Sequence, residues 1–190
     1  TGEPSIKPHT VEPPTLDEIV QSLGKRRVLF VGESHTRYDH HLLQLEALKA
    51  MHQQDRRLAI GVEWFQKPFQ QHLDDFIAGR IDEQTLLQRS EYHRRWHYDF
   101  RLYRPILDYA REHRIPVIAL NAPVELTNAI KKQGLQDLPE DLAAQMPDGM
   151  DRLNRAYIKD LHHIFGQHAG AGSRSFKRFI DVQLTWDESM

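Results

Sequence analysis

Val28-Leu29-Phe30-Val31-Gly32-Glu33-Ser34-His35 is the stretch whose reading decides the fold. Four apolar residues in a row suffice for a short strand buried on both faces, as strands of parallel sheets are. The run stops at Gly32, a residue that permits a turn others resist. A carboxylate and an imidazole follow, one residue apart. Lifting such groups to the tip of a buried strand is costly unless something pairs with them or uses them. Glu33 and His35 are therefore read as one wall of a site.

Outward from that stretch the pattern repeats. Residues 38–54 have helical spacing through Leu42, Leu45, Leu48 and Met51, and a helix after a buried strand is half of a βαβ unit. Residues 57–63 read as a second strand ending in Glu63, with Trp64 and Phe65 as core. Residues 115–120 read as a third, ending in Asn121. Helices are expected over 68–78 and 82–89, split by Gly79, then over 102–113. Pro123 opens another that Gly134 closes, and 150–168 and the stretch from 176 onward follow. Upstream, 16–23 reads as a short helix with Thr15 as its N-cap.

The expected fold is α/β, with a central, mainly parallel sheet flanked by helices. One domain spans 16–190 with a helical insertion around 66–113. An extended, proline-rich arm, residues 1–15, precedes it. In such sheets ligands bind outside the carboxyl ends of the strands. Glu33, His35, Glu63 and Asn121 are thus expected on one rim.

Composition narrows the function. The 190 residues carry 25 basic and 27 acidic side chains, a net charge of −2, which argues against a nucleic-acid surface. No run approaches the ~18 apolar residues of a membrane span. The absence of cysteine excludes disulfides, thiol catalysis and thiolate metal sites. The 12 histidines permit metal or haem ligation, and equally a solvated surface.

Two chemistries compete. Glu33, His35 and Glu63 could hold a divalent cation, or act as acid and base on a water. The plainer alternatives are a hydrogen-bonded loop for His35 and a helix cap for Glu63. The second chemistry lies on the 150–168 helix. Leu153, Tyr157, Leu161, Ile164, Phe165 and His168 fall near one face, which is either core or a greasy surface for a flat macrocycle. Tyr157, His162, His163 and His168 are the candidate iron ligands there. Tyr157 and His168 lie roughly 16 Å apart along a helix, so both cannot bind one iron. His93, Trp96, His97 and Tyr98 form an aromatic segment that could close over a site as a lid.

Gly32-Glu33-Ser34-His35, Gly61-Val62-Glu63-Trp64-Phe65, the run from Arg114 to Pro123, and the closing Gln183-Leu184-Thr185-Trp186-Asp187-Glu188-Ser189-Met190 resemble the ChaN-like haem-binding uptake family. That family is akin to Tiki, TraB and erythromycin-esterase-like proteins. The resemblance implies an α/β fold and a dimeric haem-binding protein of bacterial iron uptake, held as a lipoprotein on the periplasmic or outer-membrane side. It also implies an outer-membrane haem receptor as partner. Haem would sit at the carboxyl edge of the sheet or against the 150–168 helix, with Tyr157, Leu161, His163, His168 and His35 as contacts. The enzymatic kinship implies a different role, a metal-dependent hydrolase using Glu33, His35 and Glu63. The family pattern continues to a further strand with a second glycine-and-histidine motif, so a C-terminal part is expected beyond Met190, and the sheet edge is expected to be left unpaired.

Overall fold

The computed structural model describes Thr15, Glu18, Ile19 and residues 27–55, 57–152, 154–166 and 173–190. Expectations for residues 1–14, most of 16–23, Leu153 and His168 lie outside them. The Thr15 cap forms as a reciprocal pair. The Thr15 backbone N–H and hydroxyl both donate to Glu18 Oε2, and the Glu18 N–H donates back to Thr15 Oγ1.

The first expected strand does not form. Residues 28–31 carry no ladder, and Val28 and Phe30 are 67% and 89% exposed. Apolar composition suits a strand, but only pairing and burial on the sheet stabilise one. Here Val31 gives its carbonyl to the Gln44 amide at 2.9 Å instead. Gly32 has no positive φ; the turn falls at His35 and Thr36.

Helix α1 (Tyr38–Gln54) has the expected bounds but a rotated buried face. It buries His41, Leu45, Ala47 and His52, while Leu42 stays exposed. Buried imidazoles are tolerable because each finds a partner. His41 faces the His35 carbonyl at 3.2 Å, and His52 faces the Tyr109 hydroxyl at 2.9 Å.

Strands β1 (Ile60–Gln66) and β2 (Val117–Asn121) pair in parallel, Ile60 opposite Val117 and Val62 opposite Ala119. Gly61 leaves room for its neighbour, since a Cβ there would lie 2.6 Å from Leu120 Cδ1 and would make that side chain shift. The register breaks between Val62 and Gln66. Glu63 therefore sits inside β1 at this irregularity, neither at a strand end nor at a helix cap. The outer edge of β2 is not open where Gln70 reaches it. Gln70 accepts from the Ala119 N–H at 2.7 Å and donates to the Val117 carbonyl at 2.8 Å, standing in for a neighbouring strand.

Helices cover this pair. A 3₁₀ turn (Lys67–Phe69) leads into α2 (Gln70–Ile77). Then come α3 (Glu83–Arg89), with Asp82 capping the Thr85 N–H at 2.8 Å, and the short α4 (Tyr92–Arg95). Helix α5 (Arg104–His113) packs on α1 and α2. Their shared core with the sheet includes Val62, Phe65, Leu73, Phe76, Leu107 and Val117, and Trp64 lies in it as expected. Helix α6 (Val124–Gln133) starts after Pro123 and ends at Gly134, whose φ of 92° suits glycine alone. The connection at 135–149 contains a 3₁₀ turn and the four-residue α7 (Glu140–Ala143). Helices α8 (Arg155–Gly166) and α9 (Ser173–Ser189) form a second layer, with α9 against α6 and α8. Among the described residues no helix is long and apolar enough to cross a membrane.

Candidate functional site

The missing first strand does not scatter the rim. Glu33, His35 and Glu63 each offer a ligand atom within 4.8 Å of the others. His35 Nδ1–H donates to Glu33 Oε1 at 2.6 Å, and Glu63 Oε1 lies 3.8 Å from the same nitrogen. Asn121 completes the rim from β2. Its Nδ2 donates to the Glu63 carbonyl at 2.8 Å, holding Glu63 in place across the register break.

Two groups fix His35. From below, buried His41 contacts the His35 carbonyl, and its Nε2 stands 3.9 Å from Glu33 Oε2. From above, the rings of Trp96 and Tyr98 lie 4.9 and 4.5 Å from the imidazole. The expected aromatic lid is thus over His35, contributed by these two residues. His93 turns instead to the Tyr92 ring. His41 escaped the sequence reading, and its only signal was an imidazole at the start of an apolar helix stripe.

The electrostatics suit an occupant with positive charge. Burial pushes the Glu63 carboxyl above its ordinary value, the nearby Glu33 adds to the rise, and His35 opposes it. Glu33 Oε2 and Asn121 Oδ1 are buried without a hydrogen-bond partner, a state native structures rarely leave unanswered. Two carboxylates and an imidazole match the donor set of borderline or hard divalent cations. A small cavity of about 10 Å³ lies beside Glu63, lined by Glu63, Gln66, Trp96 and Asn121 among others, with room for no more than a water or an ion.

A much larger groove lies elsewhere, between α6, α8 and α9. It measures about 540 Å³ and is lined by Lys131, Phe165, Arg178, Phe179, Val182, Gln183 and Trp186. Phe165 meets Phe179 at 5.2 Å between ring centres, and the Lys131 ammonium stands 5.6 Å from the Trp186 ring. Neither Lys131 nor Arg178 has a carboxylate partner among the described residues, whereas Arg95, Arg104 and Arg152 each do. Aromatic walls and unpaired cations fit a flat dianionic ligand such as haem, whose two carboxylates need cations and whose ring needs apolar faces. The Phe176–Phe179–Gln183–Trp186 spacing in α9 carried this signal, joined by Arg178.

The expected contacts on α8 are divided. Leu161 is 4% exposed and packs against Ile180 and Leu184, so it serves the α8–α9 seam. Tyr157 donates its hydroxyl to the Asp187 carboxylate. Burial, and then that bond, push its phenol up to about 12. His163 is exposed, Ile164 likewise, and His168 lies outside the described residues.

The chain belongs to the haem-binding uptake family of the Tiki superfamily, ChaN, whose pattern matches residues 19–190. It is also similar to Protein RETICULATA-RELATED 5, chloroplastic, of Arabidopsis thaliana, at 26% identity over 128 residues. That match takes in 63% of this chain and 17% of the plant protein, so the chain spans a small part of that relative's length. No solved structure matches the chain significantly.

Proposed function

We propose that this chain binds haem in the α6–α8–α9 groove and serves haem or iron uptake. The observation that carries the location is the pairing of aromatic walls with two cations that lack carboxylate partners. Membership of the haem-binding family supports the ligand. In this reading Phe165, Phe179 and Trp186 exclude water from the ring, while Lys131 and Arg178 receive the propionates. Haem supplies the iron, and the chain's own residues hold and orient it. The open groove suits a carrier that releases its ligand to another protein. Titration with haemin, followed at the Soret band, is expected to give a saturable spectrum. A featureless, non-saturating titration would overturn the reading.

We further propose a setting in the bacterial cell envelope, on a lipoprotein facing the periplasm or outer membrane, with a receptor system as partner and two copies associating. Globomycin-sensitive lipid labelling of the full-length protein tests the anchor. Sedimentation with and without haemin tests the dimer.

A second reading is favoured by the Glu33–His35–Glu63 cluster, which supports a divalent cation and hydrolysis. His35, held by Glu33, would take a proton from water, and Glu63, with its raised carboxyl, would return one to a leaving group. Metal analysis of the purified protein, with ester hydrolysis compared in His35→Ala, is the test. No stoichiometric cation and no loss of hydrolysis would dismiss it.

A further inference from the structure

One arginine ties down the aromatic wall over His35. Residues 91–98 carry two left-handed backbone positions that are not glycine, Glu91 at φ 51° and His97 at φ 67°. Residues with a Cβ adopt this region rarely, and they hold it where the surrounding contacts impose it. Here the two positions bracket α4 and Trp96. His97 stands between Trp96 and Tyr98, the two rings that lie 4.9 and 4.5 Å from the His35 imidazole.

Arg95 supplies those contacts. Its Nη1 donates to Gln66 Oε1 at the end of β1, at 2.7 Å, and to Glu125 Oε2 in the first turn of α6, at 2.9 Å. Its Nη2 donates to Glu125 Oε1 at 2.7 Å, closing a bidentate pair, and lies 2.7 Å from Glu91 Oε2. Its Nε donates to the same Glu91 oxygen at 2.9 Å. The guanidinium stands 4.7 Å from the centre of the Phe69 ring, and the side chain is only 13% exposed. A planar fork of fixed donors holds three such partners in one plane, a geometry that an ammonium lacks. Arg94, next door, makes a 3.3 Å contact with Glu91 and is 78% exposed. Arg95 holds the Glu125 carboxyl below its ordinary range. Arg95 and Trp96 also line the small cavity beside Glu63, so the arginine, the wall and the rim are contiguous.

We propose that Arg95 is the positioning residue of the rim. By clasping residues 91–98 to β1 and α6, it sets Trp96 and Tyr98 as the wall that limits the size of the group reaching His35. The proposal deepens the second reading above and rests on the rim as a working site. The experiment treats the full chain with diethyl pyrocarbonate and follows each histidine by peptide mass spectrometry, with the exposed His162 as internal reference. His35 Nδ1 is bonded to Glu33, which leaves Nε2 to react, and the side chain is 35% exposed with the wall in place. Relative to His162, His35 should react roughly threefold faster in Arg95→Ala, as the ring passes from this partial exposure towards full exposure. Glu125→Gln should give a smaller rise. His97→Val should raise the rate too, because a β-branched residue resists the left-handed backbone, whereas His97→Asn accepts it and should keep the wild-type rate. In ester hydrolysis, kcat/KM for a bulky acyl group relative to a small one should rise in Arg95→Ala and, less, in Glu125→Gln. Unchanged His35 reactivity in Arg95→Ala, Glu125→Gln and His97→Val overturns the clasp and leaves the rim reading standing. If wild type hydrolyses no ester, the rim reading falls, and the labelling rates still judge the clasp. If Arg95→Ala melts early, Glu125→Gln and the contrast of His97→Val with His97→Asn decide, and equal rates among them overturn the proposal.

Discussion

The rim of the sheet and the helical groove are built on opposite plans. At the rim, Glu33, His35 and Glu63 bring ligand atoms within 4.8 Å of one another, Asn121 braces the Glu63 carbonyl, and Glu33 Oε2 and Asn121 Oδ1 lack hydrogen-bond partners. In the groove, aromatic rings line about 540 Å³, and the charged side chains among its described lining residues are cations. In the reading proposed above, the first arrangement suits a small cation and the second a large, flat anion, and the two lie in different layers of the fold.

The comparison can be broken by variants confined to one layer. The largest effect is expected from Lys131→Glu combined with Arg178→Glu, which replaces attraction for two propionates by repulsion. Haemin affinity should fall at least about a hundredfold, each charge-assisted pair being worth ~1.5–3 kcal/mol. Equilibrium dialysis with haemin measures it, and retained cation binding would show that the rim is untouched.

Leu161→Ala should destabilise the α8–α9 seam by ~2–5 kcal/mol, read as a lowered urea midpoint. A change below about 0.5 kcal/mol would mean that the seam does not bury Leu161.

Cation binding at the rim should depend on pH with a definite sign. Glu63 is raised, so its folded form keeps a proton above the ordinary carboxylate range and loses it as pH rises through the raised value. Ionising it costs stability, so wild type should lose stability relative to Glu63→Gln as pH climbs from the ordinary value to the raised one. Divalent-cation affinity should strengthen over the same interval. Paired denaturation curves from acid to neutral pH check the first point, and calorimetry checks the second.

The smallest effect is expected at the strand that failed. Phe30→Ser should change stability by no more than about 0.5 kcal/mol, because the side chain is exposed. A larger loss in monomeric protein would mean that residues 28–31 join the sheet in solution.

Much of this was legible in the sequence, for identifiable reasons. The 38–54 helix and the strand into Asn121 announced themselves through uninterrupted periodicity and through Pro123 and Gly134 as punctuation. The sequence pointed to a meeting of Glu33, His35 and Glu63 on the wrong ground, since no strand precedes Glu33 and Glu63 lies inside β1, yet the three do come together. Residues 28–31 misled, because an apolar run states only what a strand would like to bury and cannot supply a neighbour. The face of α1 misled by one residue, since His41 and His52 are polar letters whose burial depends on the His35 carbonyl and the Tyr109 hydroxyl. The groove was the least legible feature. Lys131 and Phe179 are 48 positions apart in sequence, and only the packing of α9 between α6 and α8 makes them neighbours.

The most direct measurement is a haemin titration of three full-length proteins side by side: wild type, His35→Ala, and the Lys131→Glu/Arg178→Glu pair. Saturable Soret binding retained in the first two and lost in the third is the predicted result. Binding lost in His35→Ala and kept in the charge-reversed pair would place haem at the sheet rim and contradict the account.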